Sequence, residues 1–245
     1  IYESARLPHI RLLALDAMQE FGESILENLV AEMGSRAQAF KEAGSVTKIK
    51  DYIAVTGKPM PRILVIMDEF QILFNDTANR KVALNCAELA KRLVTEGRAF
   101  GIHLLMATQS TKVISSLTIS YGTVEQMRVR IGLKCGEDDA RYLFSDQNDT
   151  KALAMMKGAV GTAVMNLDYT EQANIGFQTA YCDIDTQRQY LEQISKAFAD
   201  QPYALQTFEG GRVTNLLDHF REMNIGASDE VAVSIHLGTL IKVAP

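Results

Sequence analysis

Apolar positions along the chain alternate between short continuous runs and stripes that repeat about every fourth residue. Runs bounded by breakers read as buried strands, and stripes of that period read as amphipathic helices. Arg11 to Leu15 is a short apolar run after Leu7-Pro8-His9 and predicts a strand. Phe21, Ile25, Leu29 and Met33 then predict a helix that fades near Gly44, and Ile49 to Val55 predicts a shorter one. The prolines of Gly57-Lys58-Pro59-Met60-Pro61 stop that helix before a second apolar run, Ile63 to Met67. After a polar turn at Asn75-Asp76, Cys86, Leu89, Ala90, Leu93 and Val94 form another helical stripe. Gly97 and Gly101 punctuate the entry to a third run, Ile102 to Ala107.

The pattern continues in the same manner. Met127 to Leu133 predicts a strand, and Glu137-Asp138-Asp139 opens a helix whose N-terminal dipole favours acidic residues. Asp149-Thr150 is the expected cap of a further short helix. Gly161 to Met165 and Ile175 to Tyr181 read as late strands. Asp185 to Phe198 reads as a helix with Tyr190, Leu191, Ile194 and Phe198 facing inward. Strand and helix in alternation predict an α/β sheet covered on both faces.

Composition limits what such a fold can be. A chain of 245 residues with 47% apolar residues can bury one large core, as one domain or one domain with an appendage. No run of eighteen apolar residues and no secretory leader pattern occurs in it. The three cysteines, Cys86, Cys135 and Cys182, are far apart and lack metal-ligand spacing, so reduced thiols in a cytoplasmic compartment are expected. A net charge of −5 gives no global attraction to nucleic acid, although a basic lining on one face is compatible with it.

The chemistry sits at the ends of two of the apolar runs. Arg62-Ile63-Leu64-Val65-Ile66-Met67 ends in Asp68-Glu69, the form of a Walker B strand. There the first carboxylate holds Mg²⁺ through water and the second orients the water that attacks a γ-phosphate. Ile102-His103-Leu104-Leu105-Met106-Ala107-Thr108 ends in Gln109, whose amide can donate to or accept from a phosphate. Two parallel strands would deliver these tips to one crevice. Alone, paired carboxylates also end ordinary core strands, and Gln109 can equally bond a neighbouring strand end. His103, inside an apolar strand, reads as a core histidine with a backbone partner. A phosphate-cradling G-x-x-x-x-G-K-[ST] loop does not occur in the sequence. Its nearest counterpart, Thr56-Gly57-Lys58-Pro59, lacks the first glycine and the hydroxyl and precedes the wrong strand.

The string Arg62 to Gln71, followed by Leu89-Ala-Lys-Arg-Leu-Val-Thr-Glu-Gly-Arg98-Ala-Phe-Gly101-Ile-His103-Leu-Leu-Met-Ala-Thr108-Gln109, resembles the FtsK/SpoIIIE family of hexameric motor ATPases. That family carries an Asp-Glu-Phe Walker B, an Arg-Ala-x-Gly-Ile-His segment and an Ala-Thr-Gln strand end. The resemblance covers about residues 7 to 183 and is densest over 61 to 145. It implies a RecA-like P-loop NTPase sheet of the additional-strand type, with helices on both faces and lacking the N-terminal P-loop portion. It implies ATP and Mg²⁺ as cofactors and a ring, normally a hexamer, with nucleotide at subunit boundaries. By the same resemblance Asp68 holds the metal, Glu69 is the catalytic base and Gln109 senses the γ-phosphate. Arg98 is the candidate arginine finger, with Arg128, Arg130 and Arg141 as rivals.

Residues 1–200 are thus expected to form the ATPase domain without its Walker A portion, as a fragment of a longer protein. Residues 201–245 are expected to form an extension. Its end, Ile235 to Pro245, reads either as the lead-in to a following ATPase module or as an edge strand of this one. Three functions stay open at this stage. The first is a motor moving double-stranded DNA, and the second is a type VII secretion-like motor moving protein substrates. The third is a degenerate module, against which the intact Asp68-Glu69 argues. Lys112 lies in a segment, Ser110 to Leu117, that would face the pore of a ring but is too sparsely basic to decide the substrate.

Overall fold

A computed structural model of the chain describes residues 7–14, 18–109, 119, 121–168, 170–200 and 206–208. The described residues up to Phe21 and from Cys182 onward form one compact unit, and those between Gly22 and Tyr181 form the other. Lys112 and the end of the chain from Ile235 lie outside the described residues.

The larger unit carries most of the secondary structure. Helix α1 (Gln19–Glu42) belongs to it from Gly22 onward and is followed by α2 (Ile49–Thr56) and strand β2 (Ile63–Met67). Helix α3 (Asp76–Glu96) and a 3-10 turn at Gly97–Phe100 lead into strand β3 (Ile102–Met106). Asn75 caps α3, its side-chain oxygen accepting from the Thr77 amide at 3.0 Å, which is why the polar turn ends where the helix begins. The helix kinks at Asn79, whose φ of −146° is not helical and whose side chain accepts from the Val82 amide.

Strands β2 and β3 are parallel neighbours, Ile63 pairing with Ile102 and Met67 with Met106. Their alternation divides them into two faces. Ile63, Val65, Met67, Ile102, Leu104 and Met106 point into a core shared with Leu26 and Met33 of α1, Val82, Cys86, Ala90 and Leu93 of α3, and Phe70 and Phe74. Leu64, Ile66, His103 and Leu105 take the alternate positions and are exposed. His103 is therefore not the core histidine that its apolar neighbours suggest. Strict alternation sends it outward while Ile102 and Leu104 go inward.

The second part of this unit is an antiparallel meander. Helix α4 (Tyr121–Glu125) precedes β4 (Arg130–Leu133), which pairs with β5 (Thr162–Asn166), and β5 pairs with β6 (Ile175–Gln178). Strand β4 starts at Arg130 rather than Met127 because its last partner is Asn166. Beyond Asn166 the chain turns through Asp168 and Thr170, leaving Met127 to Val129 no strand to pair with. Helices α5 (Glu137–Phe144) and α6 (Asp149–Met155) pack Ala140, Phe144, Ala152 and Met156 against Val164.

The position preceding α6 is Asn148 rather than Asp149, and its side chain bonds Asn174 instead of its own helix. Asn174 also accepts from Asn166 at 2.7 Å, so three amides satisfy one another between α6, β5 and the approach to β6. Cys135 beside this core has its thiol pushed up by burial and by Asp139, which favours the protonated form.

In the smaller unit β1 (Leu12–Ala14) pairs in parallel with β7 (Gln206–Phe208), and α7 (Ile184–Ala197) stands on a side-chain cap. Tyr190, Ile194 and Phe198 are exposed, not inward-facing. Two three-residue strands offer too little apolar surface to cover that stripe among the described residues. Among the described residues no helix is long and apolar enough to cross a membrane.

Two stability measurements test this packing. A Cβ on buried Gly132 would lie 2.7 Å from a Phe144 ring carbon, so Gly132→Ala is expected to cost roughly 1–3 kcal/mol by overpacking. Gly34, inside α1, has nothing within 4 Å, so Gly34→Ala should raise stability by about 1 kcal/mol. Urea unfolding of both variants is the check, and equal effects would mean that β4 does not sit on α5 as described.

The Asp183 cap gives a pH dependence. Its carboxyl is held below the usual aspartate range, first by the Thr186 amide, then by the Thr186 hydroxyl, with the Asp185 amide adding to them. A depressed folded value means the stabilisation is complete above the ordinary carboxylate value and is lost as pH falls through the lowered one. Asp183→Ala should therefore lower the helix signal of α7 in circular dichroism at pH 7, and the difference should vanish in strong acid. A difference independent of pH would rule out the carboxylate as the cap.

Candidate functional site

The site is built at the C-terminal ends of β2 and β3. The pairing continues past both strands: the Ala107 amide donates to the Met67 carbonyl at 2.8 Å and the Phe70 amide to the Ala107 carbonyl at 3.1 Å. Met67 and Phe70 are both buried, and Phe70 meets Phe74 edge to face with ring centroids 6.1 Å apart. The two residues between these anchors, Asp68 and Glu69, stay out of the core. Asp68 is exposed, and one of its oxygens accepts from the Glu69 amide at 3.1 Å.

Glu69 adopts a left-handed backbone, with φ 51° and ψ 48°. A side chain with a Cβ is disfavoured there, and such residues persist where the surroundings impose them, often at functional sites. Two buried neighbours and the bond from Phe70 to Ala107 supply that constraint. The Glu69 carboxylate accepts from the Gln71 side-chain amide at 2.7 Å and from the Gln109 backbone amide at 3.4 Å, both on Oε2. The Gln71 donor, seconded by Gln109, holds the carboxyl below the usual range, so Glu69 is ionised at neutral pH.

Glu69 and Gln109, forty residues apart in sequence, are thus brought together. Asp68 joins them from the same turn. Gln71 was visible beforehand only as the last letter of Asp-Glu-Phe-Gln. The available signal was an amide two residues past the carboxylate across a buried aromatic.

Arg98 is not part of this cluster. It lies in the 3-10 turn before β3, the opposite end of the strand from Gln109, about 15 Å of extended chain away. Its turn is fixed from behind. Buried Arg36 donates to the Phe100 carbonyl at 2.8 Å and pairs with Glu32 at 2.7 Å, and Phe100 stacks on Phe40 with centroids 5.3 Å apart. Arg98 itself is exposed, as is Arg128. Of the other two arginines, Arg130 is buried with Nη2 toward the Glu125 carbonyl, and Arg141 pairs with Asp146 and Asp149.

Gly57 ends α2 in a left-handed conformation, φ 68°, with its amide on the Ile53 carbonyl. It is a helix cap before the N-terminal end of β2, remote from Asp68, and so is no phosphate loop. Among the described residues no group of three or more His, Cys, Asp or Glu could hold a metal by itself. A single exposed carboxylate suits Mg²⁺ carried with a nucleotide, since that ion keeps most of its waters and takes phosphate oxygens as further ligands.

No protein-family model matches the chain. Among curated proteins, the ESX-5 secretion system protein EccC5 of Mycobacterium marinum is 26% identical over 117 residues, covering 43% of this chain and 8% of that protein. Among solved structures, the pCW3 conjugation coupling protein TcpA, in its monomer form with ATPgS, superposes with a TM-score of 0.62 at 19% identity. That match covers 80% of this chain and 58% of TcpA. ATPases 2 and 3 of EssC from Geobacillus thermodenitrificans give a TM-score of 0.59 at 18% identity over 91% of this chain and 40% of that one. The chain spans less than two thirds of each of these proteins. Its α/β fold is shared with TcpA and with ATPases 2 and 3 of EssC.

Proposed function

We propose that this chain is part of an ATP-hydrolysing ring motor of the FtsK/SpoIIIE type, carrying the Walker B and sensor half of a nucleotide site. The observation that carries the reading is the meeting of Glu69 and Gln109 at adjacent parallel strand ends, with Asp68 beside them. In this reading Glu69 accepts a proton from the attacking water, and Gln109 reports the γ-phosphate through its side-chain amide. Asp68 would hold Mg²⁺ through water, the ion supplying charge neutralisation on the phosphates. No phosphate loop occurs in the 245 residues, and the reading assigns that loop to residues outside them. Arg98, at the far end of β3, serves the nucleotide of a neighbouring subunit in the assembled ring, because its own Glu69 is out of reach.

Double-stranded DNA is the substrate we favour, on the likeness of the Asp-Glu-Phe and Gly-Ile-His-Leu-Leu-Met-Ala-Thr-Gln segments to DNA pumps; a conjugation coupling protein among the structural neighbours is in keeping with it. A protein substrate is the second reading, supported by the 26% identity to a secretion-system protein. ATP turnover of the full-length protein, with and without duplex DNA, separates the two. Stimulation by DNA is expected, while turnover indifferent to DNA moves the assignment to a protein substrate.

Glu69→Gln is expected to retain nucleotide binding and lose hydrolysis by about 100-fold or more, since the amide keeps the shape but accepts no proton. Normal turnover in that variant would sink the assignment of Glu69. Arg98→Ala should lower hydrolysis by on the order of 1,000-fold in the assembled ring and leave nucleotide binding by the separated subunit intact. Loss of the folded state in the separated subunit would instead make Arg98 a structural residue.

A further inference from the structure

We infer that Gln71 is a positioning residue for Glu69, its side-chain amide holding the carboxylate by Oε2 so that the other oxygen is left to receive the attacking water. The inference rests on the reading of Glu69 as the base and extends it to a residue that reading does not use. Three observations carry it. The Gln71 Nε2 to Glu69 Oε2 bond, at 2.7 Å, is shorter than the one from the Gln109 backbone amide, at 3.4 Å, and the Gln71 donor acts on the carboxyl more strongly than Gln109 does. Both donors converge on the same oxygen, which restrains rotation of the carboxylate. The third is the state of the amide's other end, because Gln71 Oε1 is buried with no hydrogen-bond partner.

An unpartnered buried oxygen costs free energy, so the amide is a poor choice for packing alone. A methionine of nearly the same length would fill the position without that cost. What glutamine adds at this place is the N–H directed at Glu69. The backbone reinforces the geometry. Gln71 lies in the 3-10 turn Phe70–Ile72 directly after the left-handed Glu69, and buried Phe70 anchors the turn to the core. The donor and the carboxylate are therefore held at two ends of one short rigid loop, and small errors in the placing of a general base are expensive in rate.

The test is steady-state ATP hydrolysis by the full-length protein carrying Gln71→Met, beside Glu69→Gln, with ATPgS affinity and thermal unfolding measured on the same samples. For Gln71→Met the expected result is a kcat lower by about 10-fold or more, KM for ATP and ATPgS affinity unchanged, and a Tm equal to or above that of the parent. Gln71→Asn, which keeps the donor on a shorter stem, should recover part of the lost kcat. An unchanged or raised kcat in Gln71→Met overturns the inference, and so does a fall in kcat that follows a fall in Tm. If Glu69→Gln turns over normally, the base assignment itself has failed. If it is inactive while Gln71→Met is not, only the role of Gln71 is lost.

Discussion

Everything at the candidate site depends on the parallel, in-register pairing of Ile63–Met67 with Ile102–Met106. Parallel strands put both C-terminal ends on one side, and the register decides which residues meet there. A slip of β3 by one residue against β2 would turn His103 and Leu105 into the core and carry Ile102, Leu104 and Met106 out of it. It would also separate Glu69 from the Gln109 amide. The apolar residues shared with α1 and α3 therefore do more than stabilise the unit, because burying Met67, Ile102 and their neighbours selects the register that brings Glu69 to the Gln109 amide.

The same constraint accounts for the backbone of Glu69. Two residues span the distance between two buried anchors, Met67 and Phe70, while the Phe70 amide is committed to Ala107. A left-handed residue closes so tight a connection, and here that residue is a glutamate rather than the glycine that would adopt the conformation without strain. Retaining a carboxylate at such a position is understandable when the side chain has work to do there. Arg98 sits at the other end of β3, away from the candidate base and sensor. In the proposed reading it acts on the nucleotide of a neighbouring copy.

The sequence made the β2 and β3 strands, the helices between them and the pair Glu69 and Gln109 legible, because apolar runs of that length ending in polar residues have few structural readings. Of the two glycines expected to punctuate the entry to β3, Gly101 takes a left-handed conformation and Gly97 a helical one, while the helix expected to stop at the prolines ends at Gly57. What was not legible depended on contacts distant in sequence. His103 reads as a core residue until the register of β3 decides which alternate positions face inward. The start of β4 is set by where β5 runs out at Asn166, and the stripe on α7 implies a covering surface that its small unit does not supply among the described residues. Gln71 looked like an ordinary polar residue after Phe70, and only the folded turn shows its amide on the carboxylate.

The most direct measurement is a structure of the full-length protein bound to Mg²⁺, ADP and aluminium fluoride, which mimics the γ-phosphate in flight. The expected result has a Glu69 carboxylate oxygen within about 3 Å of the water in line with the metal fluoride, and the Gln109 side chain on the fluoride itself. A water held by some other carboxylate, with Glu69 turned away from the nucleotide, would contradict the assignment at its centre.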